Sequence, residues 1–78
     1  MPRVLTMTRT AVAPEEEPAY LAARRDEAGR FKASGDHLWL FRHESHPGVF
    51  LEFRESGDTE RLAAADPGAA QWAEVELG

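Results

Sequence analysis

His37-Leu38-Trp39-Leu40-Phe41-Arg42-His43-Glu44-Ser45-His46-Pro47-Gly48-Val49-Phe50-Leu51-Glu52-Phe53-Arg54-Glu55 decides the fold. It reads as two β-strands joined around Glu44-Ser45-His46-Pro47-Gly48, because apolar and polar side chains alternate with the period of two that a strand requires. One face of the hairpin is plainly apolar, Leu38 and Leu40 answering Val49, Leu51 and Phe53. The other carries Trp39, Phe41 and His43 against Phe50, Glu52 and Arg54, large rings mixed with proton- and hydrogen-bonding groups. Such a face suits a ligand or a partner subunit.

Working outward, Arg3 to Thr10 alternates Val4, Thr6, Thr8 and Thr10 with Leu5, Met7 and Arg9, which predicts a first strand. Pro14 and Pro18 bracket three glutamates, and Pro18 fits the first turn of a helix, where acidic residues also oppose the positive end of the helix dipole. That helix is expected from about Pro18 to Ala33, with Leu21, Arg24, Ala28 and Phe31 along one stripe, Tyr20 beside it, and Gly35 stopping it. Beyond the hairpin, Asp58 is placed to cap a short helix over Thr59 to Ala65, anchored by Leu62 and ended by Asp66-Pro67-Gly68. Trp72 to Leu77 alternates again and predicts a closing strand.

The order strand, helix, strand, strand, helix, strand specifies one α+β domain over residues 1–78, a ferredoxin-like βαββαβ unit. Right-handed crossovers put both helices on one face of a four-stranded antiparallel sheet. The helices are expected to cover Leu5, Met7, Leu38, Leu40, Val49, Leu51, Phe53, Ala73, Val75 and Leu77. The bare face then receives Thr6, Thr8, Trp39, Phe41, His43, Phe50, Glu52, Arg54, Trp72, Glu74 and Glu76. Four large rings on an open sheet form a patch that monomers rarely expose, so a homodimer through that face is expected.

Size and composition point the same way. A chain of 78 residues buries only about 60% of the surface its unfolded form exposes, and with no cysteine it has no disulfide to supplement its core. Association is the remaining device. The 14 acidic and 9 basic side chains give a net charge of −5, which opposes nucleic acid. Gly48-Val49-Phe50-Leu51-Glu52-Phe53 has some likeness to the aromatic motif of RNA-recognition modules, but it is one residue out of register and lacks the preceding basic residue. Neither a leader segment nor an apolar run long enough for a bilayer is read in the chain, and a cytoplasmic location with no membrane partner is expected.

The element order, the hairpin Leu38-Trp39-Leu40-Phe41-Arg42 to Val49-Phe50-Leu51-Glu52-Phe53, and the terminal Trp72-Ala73-Glu74-Val75-Glu76-Leu77 resemble the dimeric α+β barrel proteins related to antibiotic biosynthesis monooxygenases. The resemblance implies two ferredoxin-like sheets packed through their open faces into a barrel, often with a small-molecule cavity in each subunit. It also implies a cofactor-independent monooxygenase or isomerase as one activity. Members of that group commonly use an asparagine, a tryptophan and sometimes a histidine, and this chain contains no asparagine.

Among the residues themselves, His43 and Glu52 are the candidate acid–base pair, since an imidazole titrates near neutral pH and a carboxylate beside it could share the proton. Trp39, Phe41, Phe50 and Trp72 could line a pocket for an aromatic or apolar molecule or form the dimer core, and Arg54 could orient an anionic group by a forked hydrogen bond. The three histidines match no established ligand spacing, so no metal is expected, nor any cofactor. A purely structural dimerisation module is the third possibility.

Overall fold

The computed structural model describes residues 2–78. Strand β1 (Val4–Ala11) leads through a 3₁₀ turn (Pro14–Glu16) into helix α1 (Glu17–Ala33). The hairpin strands β2 (His37–Arg42) and β3 (Val49–Ser56) follow, then helix α2 (Thr59–Ala65) and the short strand β4 (Trp72–Ala73). All strand pairs are antiparallel in the order β2-β3-β1-β4, an arrangement consistent with the ferredoxin-like fold.

Local chemistry fixes the boundaries. Pro18 lies in the first turn of α1, and the helix ends where Gly35 takes φ 79° and the Asp36 amide donates back to the Phe31 carbonyl at 2.8 Å. The Asp58 carboxylate accepts from the Glu60 and Arg61 amides at the start of α2. Gly48 closes the hairpin at φ 77°, its carbonyl accepting from the Val12 amide at 2.7 Å. A Cβ at Gly48 would lie 2.4 Å from the Val12 oxygen, so this turn admits only glycine.

The faces of β1 and β3 are inverted relative to the expected assignment, whereas those of β2 are as expected. Leu38 stands opposite Arg54, Trp39 opposite Phe53, Leu40 opposite Glu52, and Phe41 opposite Leu51. On the other side of β3, Thr6 meets Arg54, Thr8 meets Glu52 and Thr10 meets Phe50. Even-numbered residues of all three strands therefore share the helix-covered face, and odd-numbered ones share the open face. The turn sets this register: the His43 amide donates to the Val49 carbonyl at 2.7 Å and the His43 imidazole accepts from the Ser45 and His46 amides at 3.0 and 3.1 Å, so residues of equal parity on β2 and β3 stand opposite. One residue of register exchanges every side chain between faces.

Phe50, Glu52 and Arg54 consequently lie beneath the helices, where they are buried, and not on the bare face. Leu5, Met7, Val49, Leu51 and Phe53 go the opposite way. Trp39, Phe41 and Trp72 do occupy the open face, as expected.

The closing strand is also shorter than its alternation suggests. Trp72 and Ala73 pair with Leu5 and Val4, and the Glu74 amide reaches the Arg3 carbonyl at 2.9 Å. Beyond that contact β4 continues no further along β1. Val75 and Leu77 are left exposed.

Candidate functional site

Beneath the helices the sheet buries charge. Arg54 is 5% exposed and Glu52 3%. The Arg54 guanidinium donates from Nε and Nη2 to the two carboxylate oxygens of Glu27 on α1, at 2.7 and 3.0 Å, and from Nη1 to Glu52 at 2.8 Å. Asp66, just after α2, approaches the same Nη1 at 3.7 Å and accepts from the Thr8 hydroxyl at 2.7 Å. Glu52 further accepts from the hydroxyls of Tyr20 and Thr10, with Arg24 at 3.6 Å. Helix α1 supplies this complement because Tyr20, Arg24, Glu27 and Phe31 recur at helical spacing on its inner stripe.

Burial alone would push the Glu52 carboxyl up, but hydrogen bonds from Tyr20 and Arg54 outweigh it and hold the group below its ordinary range. Burial, helped by the bond to Glu52, pushes the Tyr20 phenol up to about 12. The bidentate bond to Glu27 raises Arg54 further, so its charge is permanent. Such a network neutralises itself. With Tyr20, Thr10 and Arg54 all donating to it, Glu52 has little capacity left for a substrate.

A second clasp lies at the end of the sheet. Asp36, also buried, accepts from the Ser56 hydroxyl at 2.8 Å and from Arg61 at 2.8 and 2.9 Å, tying the end of α1 to β3 and α2. The Arg61 bonds hold its carboxyl below the usual range.

The open face is built from five cross-strand rows: Arg3 and Glu74, joined by a backbone hydrogen bond; then Trp72, Leu5, Glu55 and His37; then Met7, Phe53 and Trp39; then Arg9, Leu51 and Phe41; then Ala11 and Val49. Trp72, Phe41 and Trp39 are 62%, 56% and 45% exposed, and Met7 is half exposed. Phe41 meets Phe53 edge to face at 5.5 Å, and His37 stacks flat on Trp39 at 5.2 Å. Polar groups sit only at the two ends of the strands. At one end the Glu55 carboxylate binds Arg3 and His37, and the Arg3 bond holds it below its ordinary range. At the other lie Arg9 and the His43 turn.

Two shallow recesses flank the central row. One, of about 170 Å³, is walled by Phe41, Val49 and Leu51 with Arg9 and His43 at its margin. The other, of about 320 Å³, is bounded by Leu5, Trp39, Arg3, Glu55 and Glu74.

His43 and Glu52 are thus not brought together. His43 spends Nδ1 on its own turn and is exposed, whereas Glu52 is sealed on the opposite face and lines neither recess of the open face. Arg54 is committed to carboxylates of its own chain, and Phe50 packs against Tyr20 at 5.0 Å. Of the expected site residues, only Trp39, Phe41 and Trp72 share a surface. Leu5, Met7, Arg9, Leu51 and Phe53 join them there unexpectedly, and the signal for them was the parity of β1 and β3.

No protein-family model, curated protein or solved structure matches this chain. No helix among the described residues is long and apolar enough to cross a membrane, and no group of three or more His, Asp or Glu residues there is arranged to hold a metal ion.

Proposed function

We propose that the chain is a homodimerising α+β module in which two copies pack their open sheet faces together as an α+β barrel. The observation that carries this reading is the apolar middle of that face, with two tryptophans, two phenylalanines, leucines and a methionine on one side of an 8.7 kDa chain. Fully buried aromatic side chains cover about 150–250 Å² each, so the exposed parts of this face amount to about 600 Å² of apolar surface per chain. Two copies would remove about 1,200 Å² from water, the lower end of the range for specific interfaces. A monomer would keep a patch at the upper limit of what soluble chains expose.

The recess beside Phe41 supports a second reading, a small apolar or aromatic molecule with an anionic group set against Arg9. Its volume of about 170 Å³ is below the roughly 300–1,000 Å³ usual for ligand pockets, and the recess of about 320 Å³ beside Trp39 lies at the bottom of that range, so the exposed rings favour association as the primary role. A proton-transfer enzyme built on His43 and Glu52 gains nothing from this geometry, because the two groups occupy opposite faces.

Both tryptophans of the chain lie on the open face. Serial dilution followed by tryptophan emission therefore tests the reading: emission should shift to the red as the dimer separates. Emission characteristic of water-exposed indole at every concentration would contradict it.

A further inference from the structure

The open face is apolar through its middle and charged at its ends, and the charges differ in sign. Arg9 stands beside Leu51 and Phe41, one row short of the Ala11–Val49 end, with His43 at the margin of the same recess. Glu55 stands in the Leu5 row, and Glu74, one row further out, borders the recess beside Leu5 and Trp39. Among the described residues Arg9 and Glu74 enter no ion pair, whereas Glu55 already holds Arg3 and His37. The row of Met7, Phe53 and Trp39 lies midway between the two ends.

Aligned stacking of the two open faces leaves two arrangements for a pair of identical copies. With the two-fold axis along the strands, equal rows meet, and Arg9 of each copy is covered by apolar residues without a carboxylate. Covering an unpaired guanidinium in that way is costly. With the axis in the sheet plane and across the strands at the Met7 row, that row meets itself and the Leu5 row meets the Arg9 row. Arg9 of each copy then faces the Leu5 row of its partner, between Glu55 and Glu74.

Resting on the dimer reading above, we infer that two copies stack with their strands antiparallel about an axis through the Met7 row, each Arg9 pairing with Glu74 of the partner. The arrangement makes the face self-complementary in charge as well as in shape. It also places the partner's acidic margin over the recess beside Phe41, which closes that recess by assembly.

The test is a charge exchange read by sedimentation equilibrium on the full chain. Arg9→Glu and Glu74→Arg should each raise the dimer dissociation constant by about tenfold or more, since like charges meet across the interface. The double variant should return it to within about threefold of the parent. A double variant no tighter than either single would overturn the arrangement. Because a variant could lose its fold, cross-linking gives an independent measure, aided by the absence of native cysteine. With a short bismaleimide, Arg9→Cys alone should stay uncoupled, and Arg9→Cys with Glu74→Cys should give a covalent dimer. Coupling of Arg9→Cys to itself would overturn the inference while leaving the dimer intact. A monomeric parent chain would overturn the dimer as well.

Discussion

Replacing Arg54 by methionine tests whether the buried charges hold the fold. The side chain is enclosed, and methionine retains most of its packing while removing three charge-assisted hydrogen bonds, at 2.7, 2.8 and 3.0 Å. Glu27 and Glu52 would then share only Arg24, at 3.1 and 3.6 Å. Removing one member of a buried pair costs about 3–5 kcal/mol, because its partner's charge stays in a poor solvent. A chain of this size has roughly 4–12 kcal/mol of total stability. The variant should therefore lose from about a quarter to all of that stability, seen as a large drop in the urea midpoint or, at the low end, as a chain unfolded without denaturant. Urea titration followed by far-ultraviolet circular dichroism, at one fixed protein concentration, measures the loss. The sign with pH is also set. Glu52 has its folded-state pKa lowered, so it stabilises the parent above the ordinary carboxylate range and that contribution disappears as pH falls through the folded value. The gap between parent and variant should narrow on acidification. A loss below about 1 kcal/mol at neutral pH, or a gap independent of pH, would refute the reasoning.

Three further outcomes follow from the same contacts. Thr6 is fully buried and its hydroxyl has no partner, so Thr6→Val should stabilise the chain by about 1 kcal/mol, read as a higher urea midpoint with unchanged slope. Trp39→Glu puts a charge at the centre of the open face and should give a folded monomer by light scattering with circular dichroism; an unchanged mass would count against the proposed interface. Tyr20 is raised to about 12, so its contribution is complete below the ordinary phenol value near 10 and is lost as pH rises through the folded one. Tyr20→Phe should accordingly lose less stability than the parent between those two values.

Element order and type were legible because each signal is local. The threonine alternation gives β1, Pro18 and Gly35 bound α1, and Asp58 starts α2 where the capping pattern places it. The register of the hairpin was not legible. The expected faces set even residues of β2 beside odd residues of β3, whereas the turn sets His43 opposite Val49, and so equal parities opposite, while the His43 imidazole accepts two amides. Parity then carried Glu52 and Arg54 to the wrong face, since polar residues ordinarily point to water. What holds them inside is a second element, with Glu27 and Arg24 arriving from α1 at the spacing of one helical stripe. For the site, Trp39, Phe41 and Trp72 were found because ring size alone marks them. Glu74 was assigned to the open face by its alternation with Ala73, whereas Arg9 was not, because only the register puts the odd residues of β1 there.

The most direct measurement is the mass of the unmodified chain by sedimentation equilibrium over a wide concentration range. A species of twice 8.7 kDa, dissociating reversibly on dilution, is the outcome that covered ring faces require. A single species of 8.7 kDa at the highest concentration attainable, with both indoles in water, would contradict it.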